Sequence, residues 1–194
     1  MKNTINIYLK SIAFIAVMAM SLTACSQKSD TEKATSVLKS EIVQPSIDIH
    51  AAVLTGNLEA VKQHIAAGTD INQKEAMSGA TPLMSAATFN QPKIAKALIN
   101  ANADLSIKNN DGGTALHTAA FFGRIEIVQL LIDANADKTV RNNYGATPRE
   151  IVTSDFAAMK PIYEMLTQQL KPMGFTLDIV ELQKARPVVA MMLQ

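Results

Sequence analysis

Apolar and polar positions along this chain recur with helical spacing. Over the segment IEIVQLLID the apolar residues Ile125, Ile127, Val128, Leu131 and Ile132 fall on one stripe of a helix and polar residues on the other. Small residues come in pairs, Ala86-Ala87 and Ala119-Ala120, where neighbouring helices are expected to approach closely. Aromatic residues make up only 5% of the chain, and Ala, Leu, Ile and Val supply most of its apolar side chains. That mix favours short helices over strands. Three other blocks stand apart from this pattern: the apolar run Ile12 to Met20, the polar stretch 26–46, and the apolar groups Phe175 to Leu182 and Val188 to Leu193.

Laid against itself, the chain repeats. Gly79-Ala80-Thr81-Pro82-Leu83, Gly112-Gly113-Thr114-Ala115-Leu116 and Gly145-Ala146-Thr147-Pro148-Arg149 recur every 33 residues, and the same frame superposes Ala101-Asn102-Ala103-Asp104 on Ala134-Asn135-Ala136-Asp137. Thr81, Thr114 and Thr147 are placed to cap a first helix, and Pro82 and Pro148 sit at its first position, where no N–H is missed. Gly68, Asn102 and Asn135 are placed to end the second helix, because Gly and Asn tolerate the left-handed backbone needed there.

A 33-residue period with a Thr-Pro-Leu-His-like start resembles the ankyrin repeat, a β-turn followed by two antiparallel helices; Thr114 to Ala120 followed by Gly123 is the fullest match. The resemblance implies an all-α solenoid of about four repeats with short β-turn tips, over residues 47–79, 80–112, 113–145 and 146–166, closed by a C-terminal cap or tail at 167–194. The first copy, from Ile49-His50-Ala51-Ala52 to Gly68-Thr69-Asp70, needs one extra loop residue. It carries Gln63 and His64 where the third has Leu130 and Leu131, as expected of an end repeat whose outer face meets water. The fourth opens at Thr147-Pro148, has Arg149 and Glu150 for the usual Leu and His, and loses register after Asp155. Four units meet the need for about three or more stacked repeats.

Ahead of the repeats, Lys2 and Lys10 precede the apolar run, and Leu22-Thr23-Ala24-Cys25 follows it. Basic, apolar, then small is the order of a signal peptide, here residues 1–24, and the run is too short for a membrane span of about 20 residues. Leu-Thr-Ala-Cys resembles the bacterial lipobox, which implies a lipid on Cys25 and attachment to the periplasmic side of a membrane. Ser26 in place of the family's retaining Asp implies the outer membrane. Residues 25–46 form the lipidated cysteine and a polar linker reaching on the order of 25 Å, with a short helix at Thr35 to Val43 as one option.

Eighteen basic residues against 17 acidic ones, scattered without a basic stripe, argue against a nucleic-acid partner. The single cysteine excludes an intrachain disulfide and a CxxC motif. No nucleophile lies beside a base, so no catalytic residue is expected. Glu126 and Asp133 fall at ordinary exposed helix positions. His50 and His117 share one repeat position, at which ankyrin histidines bond within and between repeats. His64 has no second ligand at metal spacing. Met159, Met165, Met173, Met191 and Met192 lack a repeated M-x-x-M pattern, so packing is favoured over copper(I) binding. Neither a metal nor a cofactor is expected.

The resemblance leaves one face for recognition, made of the turn tips Met77-Ser78, Asn110-Asp111 and Asn143-Tyr144 and the helix positions Leu54-Thr55, Thr88-Phe89, Phe121-Phe122 and Ser154-Asp155. Three phenylalanines and a tyrosine there, out of nine aromatics, form a concentration of the residue type that anchors binding hot spots. Phe121→Ala with Phe122→Asp is expected to remove binding and leave the fold intact. The expectation is a monomeric, non-enzymatic module binding a folded periplasmic protein, as an inhibitor of or immunity factor against an enzyme or toxin. An accessory protein for a stress-defence enzyme and a structural envelope tether are the alternatives.

Overall fold

The computed structural model describes residues 45–194. The expected signal peptide, Cys25, the linker up to residue 44 and the optional helix at Thr35 to Val43 lie outside the described residues. Nine α-helices occur among the described residues: α1 (Ile49–Leu54), α2 (Leu58–Ala66), α3 (Pro82–Thr88), α4 (Pro92–Asn100), α5 (Ala115–Phe121), α6 (Ile125–Asp133), α7 (Pro148–Thr153), α8 (Phe156–Leu170) and α9 (Ile179–Met192). They stack in two rows. In the inner row α3 packs between α1 and α5, and α5 packs on α7; in the outer row α4 packs between α2 and α6.

The first helix of each unit starts at a side chain that can satisfy its free N–H groups. Asp48 accepts from the backbone N–H groups of His50 and Ala51 at 2.9 and 3.0 Å, and Thr81 accepts from that of Met84 at 3.3 Å. Thr147 and Glu150 form a reciprocal capping box. Thr114 forms the same kind of box with His117 in the place of Glu150: its own backbone N–H donates to His117 Nδ1 at 3.1 Å. That nitrogen is therefore the acceptor, and Nε2 carries the proton it donates to Ala146 O at 3.2 Å in the next repeat. Asn90, Asn102 and Asn135 turn the chain with φ of 53°, 62° and 62°.

Packing makes these short helices stable, since none is long enough to persist alone. Ala86, Ala87, Ala119 and Ala120 are fully buried between the rows, with Ile94, Leu98, Ile127, Val128 and Leu131 behind them. Each large aliphatic side chain buried there contributes roughly 1.5–3 kcal/mol. The expected stripe on α6 is narrower than drawn, because Ile125 lies at the helix start and is 39% exposed.

Three expectations are corrected. His64 is interior: its Nε2 meets Ile47 O at 2.8 Å and its Nδ1 meets Thr69 Oγ1 at 3.1 Å, so the first repeat buries a polar group where the third buries Leu131. His50 makes no bond within or between the described repeats, and both its ring nitrogens are buried without a partner. The boundary drawn at residue 166 falls inside α8, and the second helix of the fourth unit is α9, which packs on both α6 and α7. Residues 154–178, with α8 and a 3-10 turn at Lys171–Met173, intervene between the two helices of that unit.

Candidate partner-binding surface

Each turn tip is a loop locked from within. Asn109 Oδ1 accepts from the N–H groups of Asp111 and Gly113 at 3.1 and 2.8 Å, and Asn142 Oδ1 accepts from those of Tyr144 and Ala146 at 3.0 Å each. The first loop is one residue longer, and Glu75, with one more methylene, takes this place. Its carboxylate accepts from the N–H groups of Met77 at 2.7 Å and Ser78 at 2.5 Å and from the Ser78 hydroxyl. Burial pushes this carboxyl up, but the bonds from the Ser78 side chain and from the backbone of Met77, Ser78 and Ala80 outweigh it and hold it at about 2.

The tips are also joined to one another. Asn110 donates its backbone N–H to Ser78 O at 2.8 Å and its Nδ2 to Met77 O at 3.0 Å. Asn143 repeats both bonds on the second finger, to Asp111 O at 2.9 Å and Asn110 O at 3.0 Å. Tyr144 Oη donates to Asp111 Oδ1 at 3.3 Å. The closeness of the fingers requires glycine beneath each asparagine. Gly112 has φ +73°, and a Cβ there would lie 2.8 Å from Asn143 N. The ladder thus fixes Met77, Ser78, Asn110, Asp111, Asn143 and Tyr144 in one exposed row, with Met77 91% and Tyr144 78% exposed at its ends.

The phenylalanine positions do not join that row as an open surface. Phe122 is 7% exposed, and Phe89, Phe121 and Thr88 are half-buried. Residues 154–178 cover them. Phe175, 2% exposed, packs edge-on to Phe122 at 5.3 Å and Phe89 at 6.0 Å, and Tyr163, fully buried, lies 4.6 Å from Phe121. With Phe156, 6.1 Å from Tyr163, six of the nine aromatics of the chain form this cluster. The expectation of an exposed phenylalanine face is therefore corrected: the rings turn toward a segment whose position no repeat motif predicts. Of the other helix positions, Leu54 is half-buried, while Thr55, Ser154 and Asp155 are exposed.

Two arginines that sequence reasoning passed over clamp this segment down. Arg124 Nη2 donates to Thr88 O at 3.0 Å and Thr176 O at 3.4 Å, its guanidinium 5.8 Å from both Phe122 and Phe175. Burial pushes it down to about 10, so it stays charged at neutral pH. Arg186, 4% exposed, donates to Tyr163 Oη at 3.0 Å and Ser154 O at 2.5 Å and lies 5.4 Å from the Phe156 ring. Burial raises the Tyr163 phenol, partly opposed by the Arg186 charge and bond. Of the methionines, Met192 packs on the core, Met159 is half-buried, and Met165, Met173 and Met191 are 49%, 45% and 63% exposed, so core filling accounts for only part of the group.

A family model described as ankyrin repeats (3 copies) matches residues 49–142. Protein phosphatase 1 regulatory subunit 27 of Homo sapiens and of Mus musculus are each 45% identical to this chain over 64 residues, which is 33% of the chain and 41% of the relative. The chain spans about two fifths of the length of these curated relatives. The family match covers α1 to α6 and the tips Met77-Ser78 and Asn110-Asp111, and repeats of this kind form a protein-interaction module.

Proposed function

Taking the ankyrin repeats of residues 49–142 as the premise, we propose that this protein is a non-catalytic module that holds a folded protein partner along the row of tips from Met77 to Tyr144. The observation that carries this reading is the exposure of those two end residues on a row that hydrogen bonds hold rigid. A pre-organised surface loses little conformational freedom on binding, and an exposed Met and Tyr supply apolar area without a mobile loop. In this reading a lipid on Cys25 tethers the module at the periplasmic face of the outer membrane, and its partner is an enzyme or toxin there that it inhibits or protects against. The regulatory-subunit name of the relatives supports a partner that is itself an enzyme.

The test places a photo-reactive residue at Met77, at Tyr144 or, on the exposed side of α4, at Lys96 of the full chain. Crosslinks to one protein are expected from the two tips and not from Lys96. Met77→Asp with Tyr144→Ala should weaken that complex by about 30-fold or more, the loss of one ~2 kcal/mol hot spot, without lowering the melting temperature. Equal capture from all three positions would remove the assignment. Cys25→Ser should release the protein from the membrane fraction.

A further inference from the structure

The ladder of tips is closed at one end and open at the other. At the first finger the N–H groups of Met77 and Ser78 are turned inward onto Glu75. At the third, Asn143 O and Tyr144 O hold the places that Met77 O and Ser78 O hold in the first, and they accept no hydrogen bond from any described residue. The glycines follow the same order. The space over Gly79 is filled by Asn110, whose Oδ1 would lie 2.5 Å from an added Cβ, and the space over Gly112 is filled by Asn143 at 2.4 Å. The space over Gly145, with φ +76°, has nothing within 4 Å. Gly79 and Gly112 are buried and Gly145 is exposed.

Resting on the reading of the tips as the binding row, we propose that Asn143, Tyr144 and Gly145 form a socket that docks an asparagine-bearing turn of the partner protein. Its occupant continues an interface the chain has already built twice. A backbone N–H donates to Tyr144 O, an amide Nδ2 donates to Asn143 O, and the amide rests over Gly145, where a larger residue would leave no room. A second copy of this chain does not fit, because the finger it would offer has Met77 in the asparagine position and its N–H groups bound to Glu75. An unpaired backbone edge invites pairing unless it is blocked, and only one end of this ladder is blocked.

The first arm of the test uses a tethered finger as the probe. Leu193 ends α9 as Ala134 ends α6, and Lys138 Nζ donates to Gln194 O at 2.5 Å. A copy of residues 136–147 appended after Gln194 therefore runs beside the third finger and brings its own asparagine to Gly145. Hydrogen exchange at that appended asparagine should slow by about tenfold or more, since tethering raises its effective concentration to the millimolar range. Gly145→Asn should abolish the protection, because Asn fills the socket while accepting a left-handed backbone, as Asn90, Asn102 and Asn135 do. Exchange at the free-peptide rate in the otherwise unchanged chain would overturn the proposal. The second arm repeats the Tyr144 crosslink in cells and sequences the captured peptide, which should carry an asparagine in a turn and disappear in Gly145→Asn. Crosslinks from Met77 and Tyr144 that both survive Gly145→Asn would sink the socket and leave the binding row standing. No crosslink from either tip would remove the binding row and, with it, the docking of a partner at the socket.

Discussion

Replacing Gly112 by alanine tests whether the close approach of the fingers holds the repeats in register. Two effects add. The residue has φ +73°, a left-handed conformation that costs an L-residue about 1–2 kcal/mol. The new Cβ also lies 2.8 Å from Asn143 N and 2.4 Å from its Oδ1. A backbone atom cannot swing aside as a side-chain tip can, so Asn143 is displaced and its bonds to Asp111 O and Asn110 O weaken. Each contributes about 0.5–1.5 kcal/mol, which brings the expected loss to roughly 3 kcal/mol. Gly145→Ala is the matched control: φ is +76° and nothing lies within 4 Å, so only the strain of about 1–2 kcal/mol remains. Gly79→Ala falls between them, because there the backbone N of Asn110 is 3.3 Å away and only its side-chain Oδ1 lies closer than 3.0 Å, whereas Gly112 also has the backbone N of Asn143 at 2.8 Å. Urea unfolding of the three full-length variants, followed by circular dichroism at helix wavelengths, should rank them Gly112, Gly79, Gly145 in order of damage. Equal losses at Gly112 and Gly145, within about 0.5 kcal/mol, would refute the steric account and leave only backbone strain.

The remaining expectations concern charge and the aromatic cluster. Burial lowers His117, against bonds to the Ala146 and Val140 carbonyls and with Lys108 nearby. Its folded value lies below the unfolded one, so the unfolded chain takes the proton first. The stability it contributes is complete above about pH 6.5 and falls as pH drops toward the folded value. His117→Gln should flatten that part of the pH profile measured by urea unfolding. Glu75, held at about 2 against an unfolded value of 4.5, contributes stability above pH 4.5 that is lost as pH falls toward 2. Glu75→Gln should remove that acid limb and speed exchange at the Met77 and Ser78 amides. Phe122→Asp, with the ring 7% exposed, should cost at least about 3 kcal/mol and lower the melting temperature, contrary to the sequence-based expectation of an intact fold. Tyr163→Phe leaves Arg186 short of one partner and should cost about 1–3 kcal/mol, read as a lower unfolding midpoint with the helix signal unchanged.

The sequence alone was enough for the repeating part of the molecule. Period, caps and apolar stripe are local signals: a threonine before a proline, a small pair four residues on, and an asparagine or glycine where the backbone must turn left-handed. Each acts within one helix pair, so enough of them recur from copy to copy to keep the frame even where one is missing, as the proline is at Ala115 and the small pair at Val152-Thr153, and the tip residues Met77, Asn110 and Tyr144 came with it. What tertiary structure decided lies where the repeat stops supplying partners. A side chain's periodicity says which face of its helix it occupies, not what arrives to cover that face. Phe89, Phe121 and Phe122 therefore looked like an open surface until Tyr163 and Phe175, from a segment with no repeat signal, were seen packed on them. Arg124 and Arg186 carry no signal in the repeat pattern, and their part in the fold emerges only with their carbonyl partners, 36 and 32 residues away in the chain. The same long-range geometry separates Gly112 from Gly145, which the repeat makes equivalent: one lies beneath the next finger and the other has none above it.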